Sequence, residues 1–512
     1  MNRLIKLLYS NKFVAWAMLL FQLFVLASGY FWLKDYSMLL FGTSSILSAI
    51  LIIYEINRHE SPEFKMTWMM LIAIIPIFGA LLYVYLRIGF ISKRISIHHK
   101  EIKGTIKPYI EYESDVKREL DKKHPHISGL SHYLMHNASA PTYRNGTAKY
   151  YSLGENMYEA IKFELENAKE FIFMEFFIIN SSSTMWKELF DILSRKVREG
   201  VEVRLLYDGM GSLTTLPKNF SLMLNNAGIK HEVFAPVQPL LSTYQNNRDH
   251  RKIIVIDSKV AFTGGINIAD EYVNRINRFG HWKDNGIRIT GSAVTKFTSL
   301  FLEMWNTVSD KGDGEFKKYI AMDDITGDGE EGYIIPYGDC PLDEDKVGKR
   351  VYIDIINTAK EYVYIMTPYL VIDNEMLEAL RYAVDRGVRV RIIIPHHPDK
   401  VYAYWLAHTY FPELIDAGVE MYEYTPGFIH AKTMLADGYK GVVGTINFDY
   451  RSFYLHYECA VCIIDAKVLY DIEDDFQETL KKCQRITMEE YNKFNPFTKL
   501  FGKVIKILAP LL

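Results

Sequence analysis

One sequence motif, which indicates the architecture of the whole protein, occurs twice in the chain. The first copy reads HRKIIVID at residues 250–257 and continues into GGIN at 264–267. The second copy reads HAKTMLAD at residues 430–437 and continues into GTIN at 444–447. The two copies have the same internal spacing, and Lys432 follows Lys252 by 180 positions. One H-x-K-x4-D match is only suggestive, whereas two equally spaced copies indicate a duplicated functional element.

Around each copy, apolar strand-like runs alternate with helix-like runs. Residues 171–178 and 201–208 are typical of strands, and 185–199 of a helix. Similar runs recur at 361–369 and 386–395, and the acidic stretch 309–332, with five glycines, is typical of a linker. We therefore predict two similar α/β domains, with mixed sheets flanked by helices, packed with pseudo-twofold symmetry around a shared cleft.

The composition excludes several classes of protein. Of the 512 residues, 49% are hydrophobic and 24% charged, which is neither disordered nor fibrous. The net charge of -3 disfavours a general polyanion binder, so we predict no nucleic-acid partner. Four cysteines do not make a disulfide framework. The aromatic content of 14% is typical of a protein with membrane-interface contacts.

Three uncharged apolar runs lie near the N-terminus, at residues 13–33, 38–54 and 66–86. A helix over the first run would span about 31 Å, enough for a bilayer core. We predict a multi-pass transmembrane anchor of two or three helices. Basic residues flank both the first and the third run, which conflicts with three crossings. The larger cluster follows the third run and places the rest of the chain in the cytoplasm.

The C-terminal segment has an amphipathic pattern. Lys499, Lys503 and Lys506 share one face of a helix, while Leu500 and Val504 lie on the other. Such a helix either lies in the membrane interface or docks on its domain. The predicted division is an anchor over 1–95, a linker over 96–124, domains over 125–320 and 321–490, and a tail over 491–512.

The motif spacing has a chemical meaning. Residues i and i+2 of a strand share a face, so His250 and Lys252 point the same way, as do His430 and Lys432. The ammoniums would bind phosphate oxygens. One neutral imidazole would supply a nucleophile and one protonated imidazole a general acid.

Four further motif residues complete the pattern. Asn267 and Asn447 follow on strands that could bring an amide beside each lysine. Asp257 and Asp437 lie at an odd spacing from the histidine of their own motif, so in a strand their side chains point to the opposite face. We therefore expect them to support the structure rather than to react. Two alternatives stay open, namely structural surface histidines and zinc binding. The lysine beside each histidine opposes a cation, so we predict no metal and no cofactor.

The paired motifs resemble the phospholipase D superfamily over roughly residues 125 to 490. The membrane runs and further segments narrow the resemblance to bacterial cardiolipin synthases. Those segments are PIFGALLY at 76–83, NRDHRK at 247–252, HWKD at 281–284, NFDYRSF at 447–453 and APLL at 509–512.

This resemblance implies an enzyme of the bacterial cell membrane. Two phosphatidylglycerols would yield cardiolipin and glycerol through a phosphohistidine, with His250 favoured over His430 as nucleophile. Asp284 and Glu458 would orient the histidines. The catalytic set implied by the motifs is His250, Lys252, Asp257, His430, Lys432 and Asp437, with Asn267 and Asn447 on the substrate phosphate.

Other functions are possible within the same fold. A membrane-bound phospholipase D, which hydrolyses phospholipid to phosphatidic acid, would use the same residues. A nuclease fits the charge and the membrane runs less well, and a non-catalytic scaffold would not need two intact motifs. The chain departs from the family at His456, where members often have Asn, and at Thr445, where Ser is frequent. Neither change removes a reacting group.

Overall fold

The computed structural model describes residues 20, 24, 37–87, 90–110, 114–144, 146–236, 246–309, 314, 316–320, 332–343 and 345–511. The chain divides into two compact units. One comprises Met1–Ile95, Val237–Asn247 and Lys506–Leu512, and the other Ser96–Pro236 and Arg248–Ile505. The first apolar run, 13–33, and most of the 309–332 stretch lie outside the described residues.

The described part of the first unit is helical. Its helices are α1 (Ser37–Ile56), α2 (Pro62–Ile74), α3 (Pro76–Arg87) and the start of α4 (Phe90–Ile106). In α2 and α3, Trp68 and Tyr83 pack edge to face with ring centroids 5.4 Å apart. Among the helices that the structure describes, none combines the length and the hydropathy needed to cross a membrane.

The third apolar run is not one helix. The apolar residues 66–86 are divided between two helices, because the first helix stops at Ile74 and the next starts at Pro76. Proline has no backbone N–H and its ring crowds the carbonyl four residues earlier, so it favours a helix start over a helix interior. The second run, 38–54, does lie within one helix, α1.

The second unit begins with helices. The predicted linker over 96–124 is largely helical, with Ile106 and Leu120 fully buried. The elements of this part and of the first sheet domain are the rest of α4, α5 (Ser114–Lys123), α6 (Pro125–Ala138), β1 (Ala148–Tyr151), α7 (Gly154–Asn167), β2 (Phe171–Phe176), α8 (Thr184–Arg198), β3 (Glu202–Asp208), α9 (Phe220–Asn226), β4 (Lys230–Phe234), β5 (Arg248–Asp249), β6 (Ile253–Ile256), β7 (Val260–Gly264), β8 (His281–Lys283), β9 (Gly286–Thr290), α10 (Val294–Val308) and α11 (Phe316–Ile320).

The second sheet domain has a similar order of strands and helices, with additional short elements. Its elements are β10 (Tyr333–Asp339), α12 (Val347–Thr358), β11 (Tyr362–Met366), β12 (Leu370–Val371), α13 (Asn374–Asp385), β13 (Arg389–Pro395), α14 (Val401–Ala407), α15 (Phe411–Asp416), β14 (Glu420–Tyr424), β15 (Gly427–Ile429), β16 (Thr433–Ala436), β17 (Lys440–Gly444), β18 (Phe448–Asp449), β19 (His456–Ile464), α16 (Val468–Leu480), β20 (Cys483–Ile486), α17 (Met488–Lys493) and α18 (Pro496–Lys506).

Both sheets are mixed, as predicted. The first has the order β1-β9-β7-β6-β2-β3-β4, and the second β10-β19-β17-β16-β11-β13-β14-β20. In each, three neighbouring strands are parallel and the motif strand, β6 or β16, joins them antiparallel. The repeated α/β architecture predicted from the sequence is therefore confirmed.

Local sequence explains the repeated strand–helix–strand unit. Ser183 and Asp373 cap α8 and α13 by accepting the backbone N–H of the residue three positions on. Gly200 and Gly387 follow the same helices with φ of 92° and 89°, a left-handed conformation that glycine adopts without steric cost. The chain can then turn directly into β3 and β13.

Candidate active site

Two pairs of short strands, each formed by one strand from either sheet domain, bring the motif copies together. In the first domain β5 pairs in parallel with the start of β19, and β8 pairs in parallel with β15. The backbone N–H of His250 donates to the carbonyl of Tyr457 at 3.0 Å, and that of His430 donates to Lys283 at 2.7 Å. Each motif histidine is thus anchored beside a residue that directly precedes a carboxylate of the other domain.

Each motif histidine is bonded to the carboxylate of the opposite domain. The Nδ1 atom of His250 lies 2.9 and 3.1 Å from the two carboxylate oxygens of Glu458. The Nδ1 atom of His430 lies 2.7 Å from Oδ2 of Asp284. An ionised carboxylate can only accept, so Nδ1 carries the hydrogen and the Nε2 lone pair is left for chemistry.

Other groups hold the two carboxylates in place. Ser452 donates its hydroxyl to Glu458 at 2.7 Å, and Thr445 donates to the other oxygen. Asp284 accepts the backbone N–H of Asn285 at 2.9 Å and the indole N–H of Trp282 at 3.3 Å. These donors fix the orientation of each carboxylate and, through it, that of each histidine.

Glycine is required at one point of the site. A Cβ atom on Gly265 would lie 1.9 Å from Oδ1 of Asp284. The position that corresponds to Gly265 in the second copy is Thr445, whose hydroxyl bonds Glu458 instead. The two halves therefore support their carboxylates by different means.

Both motif lysines are buried beside their own histidines. The ammonium of Lys252 donates to the carbonyl of His250 at 2.6 Å, and that of Lys432 donates to the carbonyl of His430. Burial lowers the pKa of Lys252 to about 8 and that of Lys432 to about 7. Both side chains therefore lose their proton more readily than an exposed lysine does.

The site also suppresses protonation of the histidines. Burial, followed by the positive charge of Lys432, lowers the pKa of His430 to about 4, although Asp284 opposes that shift. Burial and the charges of Lys252 and Lys432 also lower the pKa of His250 well below its usual range. The field of each lysine reaches the histidine of the other copy, so the two motifs form one electrostatic unit.

The two motif asparagines make mainly structural contacts. Asn267 accepts the backbone N–H of Ile178 at 3.1 Å and donates to the hydroxyl of Tyr272 at 2.9 Å. The backbone N–H of Asn447 donates to Ser452 at 3.1 Å. Each side-chain amide has two hydrogens, so these contacts leave donor capacity for a ligand.

The two motif aspartates lie at the far ends of strands β6 and β16. The carboxylate of Asp257 accepts three backbone N–H groups of residues 169–171, each at 2.8 Å, and Asp437 does the same for residues 360–362 at 2.8 to 2.9 Å. These bonds fit the supporting position that the strand parity predicts, and we therefore assign Asp257 and Asp437 no contact with the substrate. Both have a positive φ, 52° and 55°, in a tight turn.

The sequence reasoning assigned no role to Ser452, Thr445 and Trp282, and it did not pair each histidine with a particular carboxylate. A usable signal was spacing, because Trp282 and His456 each precede a site carboxylate by two residues and share its face of a strand. The motif strands also begin later than predicted, at Ile253 and Thr433, so the histidines and lysines lie in the segments just before them.

One group in the described part of the chain could hold a metal ion. It consists of His250, His456 and Glu458, whose candidate ligand atoms lie within 4.8 Å of one another. The oxygens of Glu458 already accept hydrogen bonds from His250, Ser452 and Thr445, and the buried Lys252 is next to this histidine. These contacts fit a hydrogen-bonded carboxylate better than a cation site, so we assign no metal there.

A duplicated α/β fold with paired histidines and lysines defines a protein of the phospholipase D type. The family model "Cardiolipin synthase, PLD-like domain" matches residues 161–305 and 352–480, more than half of the chain. A second model, "Phospholipase_D-nuclease N-terminal", matches residues 45–87. The chain therefore belongs to the cardiolipin synthase family of the phospholipase D superfamily and is a phosphatidyltransferase.

Relatives cover nearly the whole chain. An uncharacterized protein of Streptococcus mutans is 46% identical over 90% of this chain and 99% of its own length. Cardiolipin synthase 2 of Bacillus cereus is 32% identical over 92% and 91% of the two chains. The solved structure of a phosphatidylserine synthase of Haemophilus influenzae has a TM-score of 0.55 and 13% identity, and the match covers 71% of this chain and 95% of that one. That likeness shows the fold alone.

Proposed function

We propose that the protein is a cardiolipin synthase that transfers a phosphatidyl group from one phosphatidylglycerol to another, giving cardiolipin and glycerol. The observation that carries this proposal is the reciprocal pairing of His250 with Glu458 and of His430 with Asp284. It supplies two imidazoles oriented alike beside two buried ammoniums. The names of the curated relatives support the choice of lipid.

The first half-reaction forms a phosphatidyl-enzyme. The Nε2 lone pair of His250 attacks the phosphorus, and the bond from phosphorus to the headgroup glycerol oxygen breaks. His430, as an imidazolium, gives its proton to that oxygen, and glycerol leaves. The anionic phosphodiester favours the protonated form of His430 when substrate is bound. Lys252 and Lys432, with the remaining amide hydrogens of Asn267 and Asn447, neutralise the phosphoryl oxygens.

The second half-reaction reverses these roles. Neutral His430 takes a proton from a headgroup hydroxyl of the second phosphatidylglycerol, and the hydroxyl oxygen attacks phosphorus. The P–N bond breaks, and the electron pair returns to Nε2 of His250. Water in place of this hydroxyl would give phosphatidic acid, so transfer and hydrolysis differ only in the acceptor.

We assign the role of nucleophile to His250 and that of general acid to His430, as the resemblance to the family favours. Burial and the charges of both lysines lower the pKa of each histidine, which favours the neutral form that a nucleophile needs. Because the same two lysines act on both rings, the choice between the two histidines rests on the resemblance and not on the electrostatics.

Membrane association completes the proposal, because both substrates are membrane lipids. Helix α1 leaves Ile46, Ile50 and Ile53 more than half exposed. We propose that the N-terminal 95 residues are a multi-pass anchor in the bacterial cell membrane, with the two sheet domains in the cytoplasm. The basic residues that follow the third apolar run support this orientation.

The C-terminal helix α18 offers a second membrane contact. Gly502 packs on the carbonyl of Trp405, which holds α18 on its domain. The apolar side chains of Phe497, Leu500 and Val504 are nevertheless 79%, 62% and 53% exposed. With lysines along the helix, this face suits the surface of an anionic bilayer, and we propose that the tail over 491–512 lies there.

The decisive experiment uses the full-length protein in phosphatidylglycerol vesicles, with lipid products and free glycerol measured together. Equimolar cardiolipin and glycerol support the transfer reaction. Phosphatidic acid with glycerol and no cardiolipin would replace it with hydrolysis. Absence of both products in protein that is folded and reconstituted would refute the proposal.

A further inference from the structure

An aromatic ring flanks each motif histidine at the same distance. The ring centroids of Trp282 and His430 are 5.3 Å apart, and the two ring planes make an angle of 46°. The ring centroids of His456 and His250 are also 5.3 Å apart, and their planes make an angle of 39°. Each of the two precedes the site carboxylate of its own domain by two residues, so the pair is related by the internal repeat.

The two rings differ in what they do for the carboxylate. The indole N–H of Trp282 donates to Asp284 at 3.3 Å. The Nδ1 atom of His456 lies 3.7 Å from Oε1 of Glu458, too far for a hydrogen bond. Neither ring nitrogen of His456 has a hydrogen-bond partner among the described residues, although the side chain is only 8% exposed.

A buried imidazole without partners is costly, so its position calls for an explanation. An unsatisfied buried polar group costs free energy comparable to a lost hydrogen bond. The groups that act on His456 include the rings of His250 and Phe177, the carboxylate of Glu458 and the positive charge of Arg451. The only anionic acceptor among these is Glu458, and a shift of about 0.8 Å would bring Nδ1 to an ordinary hydrogen-bond distance.

We infer that His456 is a positioning residue, which donates its Nδ1–H to Glu458 while the phosphoryl group is on His250. The inference rests on the proposed function. When Nε2 of His250 bonds to phosphorus, positive charge develops on that ring, and the negative charge of Glu458 compensates it. A donor that tightens on Glu458 at this stage holds the carboxylate in the orientation that His250 needs, as Trp282 does for Asp284.

The neutral form of His456 suits this role. Burial lowers the pKa of His456 to about 3, so at neutral pH the ring has one N–H and one lone pair. It can therefore donate to Glu458 without adding a positive charge beside the lysines. A tryptophan at this position would donate through a larger ring, whereas a phenylalanine would fill the space and donate nothing.

The test compares His456→Phe, which keeps a ring but removes the donor, with His456→Asn, which keeps a short donor. The equivalent variant in the other half is Trp282→Phe, which removes the donor to Asp284. Initial rates are measured in phosphatidylglycerol vesicles, with kcat and KM separated and thermal midpoints recorded. We expect His456→Phe to lower kcat about ten- to hundredfold, the value of a hydrogen bond to a charged group, with KM unchanged. We expect His456→Asn to recover most of that loss and Trp282→Phe to lower kcat similarly.

Three results would overturn the inference. They are an unchanged kcat in His456→Phe, an equal loss in the Phe and Asn variants, and a loss that resides only in KM. If a variant has a lowered thermal midpoint, His456→Gln is compared at matched stability. If the parent protein releases phosphatidic acid instead of cardiolipin, the transfer proposal fails, whereas the effect of His456 is still read from the rate of hydrolysis through the same His250.

Discussion

Replacing Glu458 by glutamine is the most direct test of how the site works. The change keeps the size of the side chain, removes its charge and turns one oxygen into an NH2 donor. In the structure Nδ1 of His250 contacts both carboxylate oxygens, at 2.9 and 3.1 Å. Neither orientation of the amide can therefore remove its NH2 group from the neighbourhood of Nδ1.

The expected loss follows from two terms. The first is the charge-assisted hydrogen bond to His250, worth about 1.5–3 kcal/mol. The second is the tautomer, because an NH2 group beside Nδ1 favours hydrogen on Nε2 and blocks the attacking lone pair. Ser452 and Thr445 can rotate their hydroxyls to accept from the amide, so the variant should still fold. Together the terms predict a fall in kcat of about 10³- to 10⁴-fold, or about 4–5.5 kcal/mol.

The assay is cardiolipin formation in phosphatidylglycerol vesicles at saturating lipid. A matched control is Glu423→Gln, since Glu423 is buried and accepts from His396 at 2.7 Å and His408 at 2.9 Å, but bonds neither motif histidine. It should keep kcat within about threefold of the parent. A fall of less than tenfold in Glu458→Gln, with the control unchanged, would refute the orienting role of this carboxylate.

Four further results are expected. Alanine at His250 or His430 should abolish cardiolipin formation while the protein still inserts into membranes; normal synthesis by either variant would contradict the paired site. The value of kcat/KM should fall as pH rises through about 7 to 8, because the buried lysines, with pKa values of about 7 and 8, lose their charge there; a flat profile from pH 5 to 9, with chemistry rate-limiting, would count against it. Gly265→Ala should lower kcat about 100-fold by displacing Asp284, whereas Gly129→Ala, where an added methyl group meets nothing within 4 Å, should not; equal rates in both would remove the steric argument. EDTA should leave turnover unchanged, and a complete loss restored by a divalent ion would require a metal in the mechanism.

The sequence predicted what depends on local pattern. The strand–helix–strand order, the duplication and the parity of Asp257 and Asp437 are all set by residues close together in the chain. The two equal motif spacings predicted the histidines and lysines that the structure brings together, whereas the carboxylates Asp284 and Glu458 were implied by the family resemblance.

What the sequence did not predict depends on contacts between distant segments. Which carboxylate faces which histidine is fixed by strand pairs such as Arg248 with His456, which are 208 positions apart. Gly265 and Thr445 stand at equivalent positions, but only coordinates show that one avoids a carboxylate and the other bonds it. The break at Pro76 was visible in the sequence and was outweighed there by hydropathy over 66–86.

Each motif histidine is paired with a carboxylate of the other sheet domain, so a complete site forms only when the two domains associate. A polypeptide containing one domain alone would present a histidine without its anionic neighbour and a carboxylate without its histidine. Duplication of such a unit within one gene product fixes the stoichiometry at one to one, and afterwards each copy is free to diverge. The indole beside His430 and the imidazole beside His250 are one such difference between the two copies.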